Sequence, residues 1–261
     1  LLYFSILASS SKGNALYVEH QQQRLLIDAG LPESKLRLRL QLLGRNIADL
    51  TGVFISHEHL DHVQGVGTIV RKYKVPLYIT EETYQCLPKS VGTIPKSACI
   101  FIQPEEKLTM ESLTILPLEL SHDAKLTLGF KLNCPEASLA IITDLGYLPA
   151  KIIDKLNSIN TLILESNHDT EMLMHGKYPW YLKKRIISDT GHLSNTSAAE
   201  ALSKILRKKG EQVYLGHLSA KNNTPDLALL TIRKILSSYN IKPNHDFSLA
   251  VAKHHDLLPA R

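Results

Sequence analysis

The stretch Ser56-His57-Glu58-His59-Leu60-Asp61-His62 follows directly on the apolar run Gly52-Val53-Phe54-Ile55. This arrangement predicts a buried strand that delivers imidazoles and a carboxylate at its C-terminal end. Side chains at i and i+2 point to one side of an extended chain, so His57 and His59 can grip one ion. The chain then turns into a helix, which lets Asp61 and His62 swing towards a second ion. Neutral imidazole and carboxylate suit zinc, manganese or iron rather than copper(I). The competing reading is a polar loop whose histidines cap a helix. Four ligand-type residues at this spacing favour the metal.

Composition bounds what surrounds this stretch. A chain of 261 residues with 44% hydrophobic content buries one substantial core, and one domain over 1–261 is the expectation. The balance of 30 Lys+Arg against 25 Asp+Glu gives +5, which tolerates polyanionic partners without demanding them. Cys86, Cys99 and Cys134 are odd in number, far apart and form no C-x-x-C pair. They exclude a cysteine metal cage and fit a reducing compartment. No apolar run reaches the length of a membrane span and no charged segment precedes the apolar start, so a cytoplasmic protein without membrane insertion is expected. The absence of an initial Met suggests a trimmed start.

In chain order, strands are expected at Leu2 to Ala8, Ala15 to Val18 and Leu25 to Ile27. The loop Ser9 to Asn14 between the first two reads as a turn, or as a set of backbone amides for a phosphate. Asp28 is either a turn residue or an acceptor that orients a metal-bound histidine. From Pro32 to Leu43 leucines alternate with Lys, Arg and Gln, which is a strand period. Yet Pro32, Gly44 and the helix-forming composition favour a helix. Val63 to Tyr73 reads as one helix, and Glu81 to Leu87 as another capped by Thr80. Short strands follow at 76–79, 99–102, 107–109, 113–119, 128–133 and 138–143. Strand–helix alternation then takes over, with strands at Leu162 to Leu164 and Gln212 to Leu215 and helices at 197–208 and after Thr224-Pro225. Two sheets packed face to face with helices outside are expected from this order.

Four later stretches each place a ligand-type residue at or just past a strand end: His122 after 118–121, Asp144 after 140–143, His192 in Thr190-Gly191-His192-Leu193-Ser194, and His217 after 213–216. Strand ends along one rim bring such residues near one another. His20, His175, His245, His254 and His255 show no metal spacing with these motifs.

The pattern H-x-H-x-D-H followed by separate His, Asp and His motifs resembles the metallo-β-lactamase superfamily of αββα hydrolases, over essentially the whole chain. The resemblance implies a four-layer αββα sandwich of two mixed sheets with external helices. It also implies two divalent ions, Zn2+ or Mn2+ with Fe possible. His57, His59 and His122 would hold the first ion, Asp61, His62 and His217 the second, with Asp144 bridging both. Lactamases of this fold typically carry Cys at the bridging position, and flavodiiron proteins carry Glu at the position of His59, so neither activity is implied. Leu7-Ala8-Ser9 with Gly13-Asn14, Thr143-Asp144-Leu145-Gly146, Glu165-Ser166-Asn167-His168-Asp169, Tyr178-Pro179-Trp180, Gly191-His192-Leu193-Ser194-Asn195 and His217-Leu218-Ser219 with Asn222-Asn223 resemble the YycJ/VicX-like branch. That branch is regarded as a DNA exonuclease group, often encoded beside a cell-wall two-component system. The sequence departs from it at Ser10 to Lys12, where the branch has a glycine-containing run. Ribonuclease Z shares the G-H-L and H-x-S motifs, but its long protruding arm has no counterpart in the sequence.

By resemblance to ribonuclease Z, His192 sits beside the ions without binding them and is the candidate general acid. Glu165 is the candidate carboxylate that orients it, and Asp61 joins them as a catalytic candidate. The implied reaction is phosphodiester cleavage, in DNA more than RNA, by a metal-bridged hydroxide that leaves a 5′-phosphate. Asn167 and His168 are candidates for substrate contact. Tyr178 to Tyr181 with Lys183-Lys184-Arg185 reads as a nucleic-acid groove, or as a helix with Trp180 packed inward and its charges solvated. The competing functions are a thioesterase or lactonase acting on a small acid, an RNA-processing nuclease, and a regulatory module that keeps metals for folding.

Overall fold

The computed structural model describes residues 1–252 and 258–260, so His254 and His255 lie outside the described residues. The strands make two seven-stranded sheets, and the chain separates into two compact units.

The first unit holds residues 1–119, 124–137 and 258–260. A long hairpin of β1 (Leu2–Ser10) and β2 (Gly13–His20) starts it, followed by antiparallel β3 (Gln23–Ile27). Parallel pairing then adds β4 (Gly52–Phe54), β5 (Leu77–Ile79) and β6 (Cys99–Phe101), while the short strand Leu258–Pro259 pairs β1 on the other edge. The same unit carries β7 (Leu108–Met110), all but the last residue of β8 (Leu113–Leu120), and β9 (Thr127–Asn133), in the order β9-β8-β7.

The contested segment after Pro32 is a helix, α1 (Glu33–Leu42). Leu36 and Leu40 are buried, while Leu38 and Leu42 are 56% and 69% exposed. Burial at i and i+4 is the helical period, and each fully buried leucine contributes about 2 kcal/mol. The buried pair packs into a core with Leu7, Tyr17, Val53, Val66 and Leu77. The other two leucines belong to the outer face, so the strand-like alternation has no structural meaning. The helix expected over Val63 to Tyr73 is instead two, α2 (Leu60–Val63) and α3 (Val66–Tyr73). Between them the Gly65 N–H leaves the helical ladder to bond the Ala29 carbonyl at 2.8 Å. Thr80 caps α4 (Glu81–Gln85) through the Thr83 N–H, as its position predicts.

The second unit holds residues 120–123 and 138–252. Its strands β10 (Ser138–Ile142), β11 (Thr161–Glu165), β12 (Glu211–Gly216) and β13 (Phe247–Val251) are all parallel, in chain order across the sheet. Parallel strands need helical crossovers, supplied by α5 (Ala150–Leu156), α6 (Thr170–His175), α7 (Trp180–Ile187), α8 (Asn195–Ile205) and α9 (Pro225–Ser238). Leu139, Ile142, Leu162, Leu164, Val213 and Leu215 are buried on these strands, with Leu202, Ile232 and Leu236 buried on the helices. Helix α8 starts two residues before the expected 197 because Ser194 caps it through the Ser197 N–H. Among the described residues no helix is long and apolar enough to cross a membrane.

Candidate functional site

Strand β4 is only three residues long and buried throughout, so the chain leaves it straight into Ser56 and His57. Asp28, just past β3, holds this exit in place. Its Oδ1 accepts the Ser56 N–H at 2.8 Å, and its Oδ2 accepts from Ser56 Oγ at 2.9 Å and lies 2.7 Å from His62 Nδ1. Asp28 meets both readings, since its backbone is left-handed at φ 60° and its carboxylate orients His62. A histidine that donates Nδ1–H to a buried carboxylate turns its Nε2 lone pair outward, the usual arrangement behind a metal-ligating imidazole. The neighbouring Gly30 lies so close to the motif that a Cβ there would stand 1.7 Å from the Asp61 carbonyl. Only glycine permits that approach.

His57 Nε2 and His59 Nδ1 face each other at 3.1 Å. Two nitrogens bound tetrahedrally to zinc at about 2.0–2.1 Å stand roughly 3.3 Å apart, so this pair fits a shared cation. Glu58, between them, turns away and accepts the Lys125 N–H at 2.7 Å. Asn14, marked in the sequence only by the Gly13-Asn14 resemblance and not as a site residue, lies beside the candidate ligands. Its buried amide nitrogen lies 2.9 Å from His62 Nε2 and 3.4 Å from Asp61 Oδ2. A polar amide on an apolar strand, directly after a turn, is the signal that could have found it. The turn itself is Ser11-Lys12, and the amides of Ser10 and Lys12 are taken by Asn14 Oδ1 and Ser10 Oγ. The plain turn therefore replaces the phosphate cradle.

In the second unit, β11 ends on Glu165, fully buried. Its Oε1 lies 2.8 Å from His192 Nδ1 and 2.7 Å from His217 Nδ1, and its Oε2 accepts the N–H groups of Leu145 and Leu193 at 3.2 and 3.0 Å. Burial alone would raise this carboxyl, but the two imidazoles hold it well below the usual carboxylate range. Burial likewise works to lower His192, and the Glu165 carboxylate outweighs it, so His192 is raised. Of the three side chains His192 is the exposed one, at 20% against 0% for Glu165 and 2% for His217.

Asp144 Oδ1 stands 3.3 Å from His217 Nδ1 and 3.9 Å from both His192 Nδ1 and His122 Nε2. His122 places its Nδ1 3.1 Å from the Gly191 carbonyl, and burial keeps its pKa below the ordinary value, so Nε2 carries a lone pair. Asp144, Glu165, His192 and His217 each offer a ligand atom, all within 4.8 Å of one another. Carboxylate and neutral imidazole, braced from behind by a carboxylate and a carbonyl, are a donor set suited to a divalent ion. Asp28, Asp144 and His217 all follow strands with left-handed backbone, at φ of 60°, 63° and 55°. Gly191 is required for a different reason, because a Cβ there would meet the Ile186 carbonyl at 2.2 Å and push the His192 loop away.

Asn167 and His168 do not face solvent. Both are buried, and Asn167 donates its amide to the His217 carbonyl at 2.9 Å. Burial pushes His168 down to about 4. Asn223 donates to the carbonyls of Ser166 and Asn167 and exchanges amide bonds with Asn195. The three later motifs are thus knitted into one buried polar network that braces the His192 and His217 turns. His20, read as lying apart, sits near Cys134 and Glu136, with ring nitrogens 3.1 Å from the Leu1 carbonyl and 2.8 Å from Ser112 Oγ.

The basic run splits into three fates. Lys183 is buried and donates to the Met174 carbonyl at 2.6 Å, and Arg185 is paired with Asp123. Lys184 lies over the Trp180 ring at 5.6 Å. Trp180 is not packed inward but 54% exposed. Lys183→Ala is therefore expected to lower the melting temperature by about 2–8 °C, since a buried charge-assisted bond and its packing are lost. An unchanged thermal melt would return Lys183 to solvent.

The beta-lactamase superfamily domain is matched over residues 23–218. Exodeoxyribonuclease YycJ of Bacillus anthracis is 36% identical over 90% of this chain and 89% of its own. Exodeoxyribonuclease WalJ of Streptococcus pneumoniae is 36% identical over 94% and 92%. The crystal structure of the metallo-beta-lactamase fold protein YhfI from Bacillus subtilis superposes with a TM-score of 0.72 at 16% identity, covering 99% of this chain and 100% of that one. Two mixed sheets with flanking helices are the fold that these matches share. The chain belongs to the beta-lactamase superfamily, in the branch of YycJ and WalJ.

Proposed function

We propose that this chain is a metal-dependent DNA exonuclease. Relatives named exodeoxyribonuclease, 36% identical over most of the chain, support the substrate class. The observation that carries the mechanism is Glu165, a buried carboxylate with His192 and His217 on one oxygen. By the family's motif, His57, His59 and His122 would hold one divalent ion and Asp61, His62 and His217 another, with Asp144 as a further ligand. When bound, such ions neutralise phosphate charge and acidify water. His217 and His192 take different tasks although they share one acceptor. Buried His217 presents a ligand atom, whereas His192 is only partly buried and can meet a substrate. With Nδ1 fixed on Glu165, His192 holds its exchangeable proton at Nε2 and delivers it to the departing 3′-oxygen. The product is a 5′-phosphate. The free thiols of Cys86, Cys99 and Cys134 fit a reducing compartment.

Chelator-stripped protein is expected to lose hydrolysis of end-labelled DNA and regain it with Mn2+ or Zn2+, binding about two ions per chain. Metal analysis and product mapping check this. A stoichiometry held at one under saturating metal would overturn the paired site. Turnover of thioesters with none of DNA would overturn the nuclease.

A further inference from the structure

We infer that the start of α7 is a stacking platform for the unpaired bases of a DNA strand. This deepens the nuclease reading and rests on it for the nature of the strand. Trp180 and Tyr181 are 54% and 75% exposed, and Met174 beside them in sequence order is 38% exposed. Exposed aromatic rings offer π faces on which nucleic-acid bases stack. Here each of two rings already carries an ammonium: Lys184 Nζ lies 5.6 Å from the Trp180 centroid, and Lys221 Nζ 5.4 Å from that of Tyr178. No acidic residue occurs between Glu171 and Asp189. Flat apolar faces interleaved with cations complement a chain of flat bases interleaved with phosphates.

The helix also sets the reach. Its far end accepts the His192 N–H on the Ile186 carbonyl at 2.8 Å. From Trp180 to Ile186 is about 9 Å at 1.5 Å per residue, or roughly three stacked nucleotides at about 3.4 Å each. A strand whose end lies at His192 can therefore lay its next bases on the rings. Lys183 and Arg185 have no part in this, being held by Met174 and Asp123.

Trp180 is the only tryptophan in the chain, so its fluorescence reports on the platform directly. The test titrates the metal-loaded protein with a phosphorothioate oligothymidylate, which resists hydrolysis. Saturable quenching of Trp180 is expected. Trp180→Leu is expected to weaken binding of the labelled strand by about 5- to 150-fold, the loss of one stacked base. Trp180→Phe keeps a ring and recovers most of it, and equal melting temperatures show that the fold is kept. Strand binding with unchanged fluorescence and unchanged affinity in Trp180→Leu would overturn the platform. So would self-association that Trp180→Leu abolishes, without strand binding. Quenching by a wild-type protein that hydrolyses no DNA would keep the platform and remove the nuclease.

Discussion

His192→Ala is expected to keep its metal while hydrolysis of a duplex-DNA phosphodiester falls by about 10²–10⁴, the worth of a positioned acid. Its Nδ1 is spent on Glu165, and the reacting proton belongs to the other nitrogen. Asp144→Ala is expected to differ in kind, losing metal and activity together. An aryl phosphodiester needs little protonation of its leaving group and tests the difference. His192→Ala should slow it far less than it slows DNA, because general damage would slow both alike. Equal losses on the two substrates, or metal lost from His192→Ala, would remove the acid assignment.

Glu165→Gln is expected to cost about 1–3 kcal/mol, besides the activity that depends on His192. The wild-type carboxylate has four donors aimed at it, the two imidazole Nδ1 atoms and the N–H groups of Leu145 and Leu193. Glutamine has one acceptor oxygen where four N–H groups converge. With that oxygen on the two backbone N–H groups, the NH2 faces the imidazoles, which accept it only by moving their protons to Nε2, so neutral bonds replace charge-assisted ones and His217 loses its outward lone pair. Urea unfolding of the metal-free variant isolates this cost from lost metal affinity. A midpoint unmoved from wild type would show that the carboxylate charge carries no part of the fold.

Much of the fold and the site is legible in the sequence for a simple reason. Parallel strands buried on both faces read as short apolar runs, and residues that cannot be buried cheaply mark where they end. Ser56 to His62, Asp144 and His217 stand out in this way, while His122 follows the antiparallel β8 and His192 lies in the loop before α8. The caps Thr80, Ser194 and Thr224 are equally local, each bonding an amide three residues on. What does not show is decided by contacts distant in sequence. Asn14 meets His62 across 48 residues. Lys183 looks like any solvated lysine until α6 supplies a carbonyl for it. The hydrophobicity of Trp180 suggests an inward face, yet its helix buries Lys183 instead. The leucines of α1 mislead in the opposite direction, since two of the four lie on the solvent face.

The left-handed residues after three strands carry a cost that the ions do not share. A non-glycine residue in this conformation is strained by about 1–3 kcal/mol, and Asp28, Asp144 and His217 are all of the few types that tolerate it. The bends are set by backbone conformation, and they aim the side chains that the proposed mechanism uses. Glycine at 144 would relieve the strain while removing a proposed ligand. The chain would gain stability by giving up its chemistry. A selection for robust variants alone would thus drift towards an inert protein at these very positions, and thermostability screens of this fold need an activity readout to be trusted.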